Sequence, residues 1–273
     1  MKYYTKHLYV KILLVLITAT ACKQEKKSPD TVDTSNTETI DKAAKPVFTI
    51  EKLKNSPAYA DAALILDTPK EISIGQSGEK EFSFNIENNE LGAQTQGINA
   101  QKLANSGKGQ HIHFILNNQP YSAHYEPKFK KEIPKGVHHL VAFLSRSYHE
   151  SVKNENSVVV RKLVVGDNPE DTIGINLESP TLIYSRPKGE YSGKDTEEIL
   201  LDFFVLNTTL SKNGHKVRAV INGKAFFITE WAPHVIKGLP KGKVSIQLEL
   251  LDENNALIPG PFNTVSRTVL LKE

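Results

Sequence analysis

Short segments in which apolar and polar residues alternate, turn signals between them, and one long internal repeat predict an all-β chain. Its expected form is two tandem immunoglobulin-like β-sandwich domains behind an N-terminal export signal and a tether. The repeat is the strongest of these observations. Residues 109–144, GQHIHFILNNQPYSAHYEPKFKKEIPKGVHHLVAFL, return at 214–250 as GHKVRAVINGKAFFITEWAPHVIKGLPKGKVSIQLEL. Asn117 falls on Asn222, Pro127 on Pro233, and Pro134, Lys135 and Gly136 on Pro240, Lys241 and Gly242, with one single-residue indel. Ile112, Phe114 and Leu116 alternate with polar neighbours, as do Val217, Ala219 and Ile221, and this is the period of a half-buried strand. The match extends outward: Phe84 and Ile86 fall on Phe203 and Val205, Asn88 on Asn207, and Arg161 and Leu163 on Arg267 and Val269. Because the matched apolar positions alternate, the duplication preserves a buried face, and both modules are expected to share one topology.

Taken in order, the chain opens on an address. Lys2, Lys6 and Lys11 form a positive region, residues 12–17 an apolar one, and Ala19-Thr20-Ala21 a small-residue cleavage site, so residues 1–21 read as an export signal peptide. The apolar run is too short for a lasting membrane span. Cys22, the only cysteine, follows directly, and an unpaired thiol in an oxidising compartment is a liability unless it is lipidated. Residues 22–55 are rich in Ser, Thr, Asp and Lys, which cannot offset the entropy of ordering, and predict a disordered tether.

Domain 1 is placed at 56–166, with strands near 60–66, 71–74, 80–87, 110–117, 120–125, 137–146 and 157–165. Residues 93–108 form a polar insertion where the second copy has only SKNG, a candidate functional loop or a tolerated insertion. Domain 2 is placed at 178–273, and each copy is expected to own its core and fold alone.

A 273-residue chain with 39% hydrophobic and 24% charged residues is globular in composition. Its formal charge of +3 disappears once Lys2, Lys6 and Lys11 are removed, leaving 31 basic residues against 31 acidic. Such a chain lacks the basic field that phosphate backbones need, which argues against nucleic acid as a partner.

The histidines separate the two copies. His111, His113, His124, His138 and His139 in the first face mainly Lys216, Arg218, Val244 and Ser245 in the second. HIH at 111–113 puts two imidazoles on one face of one strand, about 6 to 7 Å apart. A third donor from the following hairpin, His124 or His139, would make a three-nitrogen site for zinc or copper. The competing reading is a polar face that happens to be histidine-rich. Lys128, Lys130, Lys131 and Lys135 suit an anion or a phosphorylated ligand, or else a solvated sheet edge. Tyr121 and Tyr125, with Phe227 and Trp231 in the second copy, suit sugar stacking or peptide binding, or else packing between sheets. Glu126, Glu150 and Asp202 read as isolated surface carboxylates, and no nucleophile elbow or HExxH motif is present, so no catalytic residue is expected.

The cleavage site with Cys22, the polar tether, and the pattern HxHxxxNxxPY followed by PKGVxH resemble the tandem immunoglobulin-like lipoproteins of Bacteroidota, often named phosphopeptide-binding proteins. The first module, GQHIHFILNNQP with IPKGVHHL, is also similar to a histidine-rich periplasmic domain family of unknown activity. The resemblance implies an outer-membrane lipoprotein, periplasmic or surface-exposed, held by lipid on Cys22. The expectation is a non-enzymatic binding or scaffold protein of the cell envelope, with another envelope protein, a peptide or a glycan as partner. The alternatives are a zinc- or copper-binding protein and a phosphopeptide or anion binder.

Overall fold

The computed structural model describes residues 48–273, so the signal segment, Cys22 and most of the expected tether lie outside the described residues. The first strand, β1 (Thr49–Lys52), corrects the tether boundary. It falls inside residues 22–55 yet pairs antiparallel with a strand of the second module, and Phe48 before it enters that module's core.

The first module follows as β2 (Ala63–Ile65), β3 (Glu71–Ile74), β4 (Gly78–Ser83), β5 (Asn85–Glu87), β6 (His111–Leu116), β7 (Ser122–His124), β8 (Lys128–Ile133), β9 (Gly136–Ser145) and β10 (Val158–Val165). One sheet has the order β3-β10-β9-β6-β7, and the opposing layer consists of the pairs β2-β5 and β4-β8. The second module runs β11 (Thr181–Arg186), β12 (Glu190–Tyr191), β13 (Glu198–Leu206), β14 (Lys216–Ile221), β15 (Lys224–Ile228), β16 (His234–Lys237), β17 (Gly242–Leu251) and β18 (Thr264–Leu271). Its sheets are β12-β18-β17-β14-β15 and β1-β16-β13-β11. The two five-stranded sheets correspond strand for strand, including the parallel pairing of β3 on β10 and of β12 on β18. The chain is an all-β protein of immunoglobulin-like sandwiches.

The duplication holds at the level of single bonds. Asn117 and Asn222 both turn into the left-handed region, with φ of 52° and 45°. Each side-chain oxygen accepts from the backbone N–H across the ladder, of His139 and of Ser245, at 2.9 Å in both cases. Asparagine tolerates this conformation and caps the hairpin at the same time.

Besides β1, a second strand lies outside the predicted set. Residues 128–133, KFKKEI, form β8, whose Lys128 and Lys130 point outward while Phe129, Lys131 and buried Ile133 share the other face. Lys128 and Lys130 bind Glu81 and Glu79 of β4, each at 3.0 Å. The segment read as one strand at 80–87 is interrupted at Phe84, where pairing passes from β8 to β2.

Each sandwich has its own inner core, one around Phe82, Phe114 and Leu140, the other around Phe203, Ile246 and Leu250. A third apolar cluster joins them: Ile115, Tyr121, Val141 and Phe143 of the first module meet Ile183, Phe204 and Leu206 of the second. The Phe143 and Phe204 rings stack at 5.2 Å. Around this contact Asn118 accepts from Tyr184 N–H at 2.8 Å and donates to the Leu182 carbonyl at 3.0 Å. Lys153 meets buried Asp202 at 2.5 Å. Asp202 and Glu150, expected as surface carboxylates, are both buried, the latter paired with Arg146 at 3.0 Å. The two sandwiches belong to one compact unit from Ala44 to Glu273.

Candidate metal centre between the sandwiches

Alternation along β6 turns Ile112 and Phe114 into the core and His111 and His113 outward. In an isolated sandwich that outward face would be wet. Here β11 of the second module covers it, and both imidazoles are fully buried.

The third imidazole that joins them is neither His124 nor His139, and the expected ligand set is corrected there. His124 lies directly opposite Ile112 in the β6–β7 register and so shares the face of Ile112, not that of the HIH pair. It stacks on Phe129 at 3.5 Å, and its Nε2 stands 2.9 Å from Ser122 Oγ. His139 does share the outward face. The register sets His113 against Phe143, however, which leaves His139 four residues farther along, stacked on Phe262 at 5.3 Å.

His149 takes the third place, from the turn after β9. The register sets His111 opposite Ser145, so the turn that follows Ser145 folds back over His111. His149 has φ 70°, a left-handed conformation that costs energy for a non-glycine residue and that its surroundings must enforce. Arg146 N–H donates to the Glu150 carbonyl at 2.8 Å and His149 N–H to the Arg146 carbonyl at 2.9 Å. The buried Arg146–Glu150 pair staples the same turn, with Arg146 also donating to the Pro57 carbonyl and Ser56 Oγ to Glu150 at 2.5 Å. The 93–108 insertion braces it from outside: Thr95 Oγ1 accepts from Ser147 N–H at 2.9 Å, and Ser106 N–H donates to the Ser147 carbonyl at 2.8 Å.

His111 Nε2 stands 3.0 Å from His113 Nε2 and 3.1 Å from His149 Nδ1, and the three donor atoms lie within 4.8 Å of one another. A tetrahedral ion with metal–nitrogen bonds of 2.0–2.1 Å spaces its ligands roughly 3.3 Å apart, so two of the three separations are already close to that of a loaded site. The outer ring nitrogens orient the inner ones. His111 Nδ1 lies 2.9 Å from the Gly109 carbonyl, to which it donates, leaving the Nε2 lone pair aimed inward. Gly109 is required where it stands. Its φ is +84°, and a β-carbon there would meet the Gly92 carbonyl oxygen at 2.2 Å. His113 Nδ1 faces Ser185 Oγ of β11 at 3.1 Å.

Burial sets the charge of the cluster. It lowers His111 to about 4 against a weaker lift from the Gly109 carbonyl, with Arg186 and Lys188 lowering it further. Burial also holds His113 and His149 well below the usual imidazole range. All three are neutral near pH 7, the form that binds a metal. Tyr121 lies against them, its ring stacked on His113 at 3.5 Å and its hydroxyl 3.2 Å from His149 Nδ1; burial holds the phenol above its ordinary range.

The other proposed ligand-binding residues do not converge. Tyr125 and Lys128 line an open groove of about 1070 Å³ with His124, Phe84, Phe129 and Asn89, and none of the three clustered histidines lines it. Tyr121 is buried away from that groove, and Lys128 and Lys130 are occupied by glutamates. Lys131 shares the face of Phe129.

No protein-family model matches the chain, and no curated protein matches it. Among solved structures it is similar to the fibronectin(III)-like modules of Clostridium thermocellum CbhA, at 14% identity over 77% of this chain and 94% of that one, TM-score 0.27. The two tandem V-type regions of VCBP3, a v-region-containing chitin binding protein, align at 10% identity over 78% of this chain and 99% of that one, TM-score 0.23. Bacteroides ovatus SGBP-B, solved with a mixed-linkage heptasaccharide, aligns at 10% identity over 82% of this chain, which spans 47% of that one, TM-score 0.21.

Proposed function

We propose that this chain is a cell-envelope binding protein that holds one zinc or copper ion at His111, His113 and His149, with Cys22 as its lipid anchor. The observation that carries the metal reading is the convergence of three neutral imidazoles, two fully buried on a strand and one half-buried on a braced turn. Rigid placement lowers the ordering cost of capture, and the positive φ of His149 is a strain that a site for an ion accounts for. A second reading, peptide or glycan binding in the open groove, rests on Asn89, whose side-chain nitrogen and oxygen are both buried without a partner in that groove. The anion reading is weaker, because Lys128 and Lys130 already have carboxylate partners.

Calorimetric titration of the chelator-stripped chain with zinc and with copper tests the metal reading. One ion per chain is expected, with His149→Ala weakening binding at least tenfold and His124→Ala or His139→Ala leaving it unchanged. No binding tighter than about 10 μM, a level that scattered surface histidines reach, would leave the groove reading alone.

A further inference from the structure

Resting on that metal reading, we infer that the Tyr121 phenol oxygen is the fourth donor, completing a three-nitrogen, one-oxygen set. Charge is the first reason. Three neutral imidazoles bring no negative charge, yet Arg186 and Lys188 of the second module stand beside the site. Arg186 is buried, its Nη1 donates to Tyr191 Oη at 3.1 Å, and its Nε finds no acceptor. Lys188 Nζ lies 3.7 Å from the centre of the Tyr121 ring and donates to the Tyr121 carbonyl at 2.7 Å. Neither Arg186, Lys188 nor nearby Arg267 takes part in an ion pair among the described residues. A divalent ion placed beside buried Arg186 and half-buried Lys188, neither of them ion-paired, is repelled, because water screens it less than at the surface. An anionic fourth ligand would offset that repulsion.

Geometry selects which one. Tyr121 Oη sits 3.2 Å from His149 Nδ1, close to the donor spacing of roughly 3.3 Å that a tetrahedral ion imposes. The ring is held on one side by the His113 stack, 11° from parallel, and by the Lys188 ammonium, with the Arg186 guanidinium carbon 5.3 Å from its centre. Tyr125, the other tyrosine near His111, has its hydroxyl engaged with Ser106 Oγ at 2.8 Å. On capture the Tyr121 O–H bond breaks, a metal–oxygen bond forms and the proton passes to solvent, while the metal keeps its oxidation state. The phenolate then faces Arg186 and Lys188, which gain the counter-charge they lack in the metal-free protein. Both modules thereby contribute to one site, the first by its donors and the second by its cations.

The test is to add one equivalent of copper(II) to the full chain at neutral pH and record the visible spectrum. An intense phenolate-to-copper charge-transfer band is expected. Tyr121→Phe, which removes a single oxygen from a packed ring, should abolish the band while copper stays bound at one per chain with affinity reduced roughly ten- to a hundredfold. Tyr125→Phe should keep the band. A fully loaded wild-type chain with no band, or a Tyr121→Phe chain that retains it, overturns the assignment and leaves the metal reading standing. A wild-type chain that takes up no copper overturns both.

Discussion

His113 and Arg218 occupy the same position in the two halves of the duplication, on corresponding strands and on the outward face, and their surroundings are opposite. His113 is fully buried with its ring 5.2 Å from Phe143, whereas Arg218 remains partly exposed and binds Glu249 at 2.5 Å. The reason is docking. The outward face of the first module is covered by the second, and among the described residues no further sandwich covers Arg218 on the equivalent face of the second. The histidines of one copy and the basic residues of the other thus follow from which faces are covered.

Docking should be a large part of the stability of the whole unit. Phe204 lies between Phe143 and Trp231, with ring centres at 5.2 and 4.6 Å, and is almost fully buried. Phe204→Ala should cost about 3–5 kcal/mol in urea unfolding of the full chain and should loosen the wall over the histidines, so metal affinity falls with stability. A loss under about 1 kcal/mol would mean the modules are not packed through this residue.

The buried histidines fix a direction for pH dependence. His139 and His111 are lowered by burial to about 4, against an ordinary value of 6.5 in the unfolded chain. Between those values the unfolded state binds more protons than the folded one, so metal-free stability is full above about 6.5 and declines as pH falls toward 4. Each such group contributes about 3 kcal/mol of this loss. His139→Phe, which keeps the stack on Phe262, should flatten the decline measured by chemical unfolding at pH 7, 5.5 and 4.5. An unchanged slope would contradict the burial argument.

Anchoring is tested separately. Cys22→Ser should leave the protein unprocessed or soluble, whereas the parent partitions into the detergent phase. Unchanged processing and partitioning would remove the lipoprotein reading.

The duplication was legible because matched asparagines and prolines sit at turns, where local chemistry decides conformation. Strand β8 was not, since KFKKEI looks like a solvated charge run until Glu79 and Glu81 of β4 are brought beside it. β1 depends on pairing with β16, far along the chain, which local pattern cannot show. His149 was missed for a similar reason: it lies in a turn, and only the β6–β9 register brings that turn over His111. The docked strands nevertheless carry a signal in the sequence. Residues 140–144, LVAFL, and 199–206, ILLDFFVL, are nearly continuous apolar runs, whereas β17 alternates through most of its length. Strands apolar on both sides are buried on both faces, and these two, β9 and β13, are the ones that meet through Phe143 and Phe204.

The most direct measurement of the central claim is an anomalous difference map from crystals of the zinc- or copper-loaded full chain. The account predicts one strong peak within about 2.0–2.1 Å of His111 Nε2, His113 Nε2 and His149 Nδ1. A peak at His124 or His139 instead, or a fully loaded crystal with no peak between the two sandwiches, would contradict it.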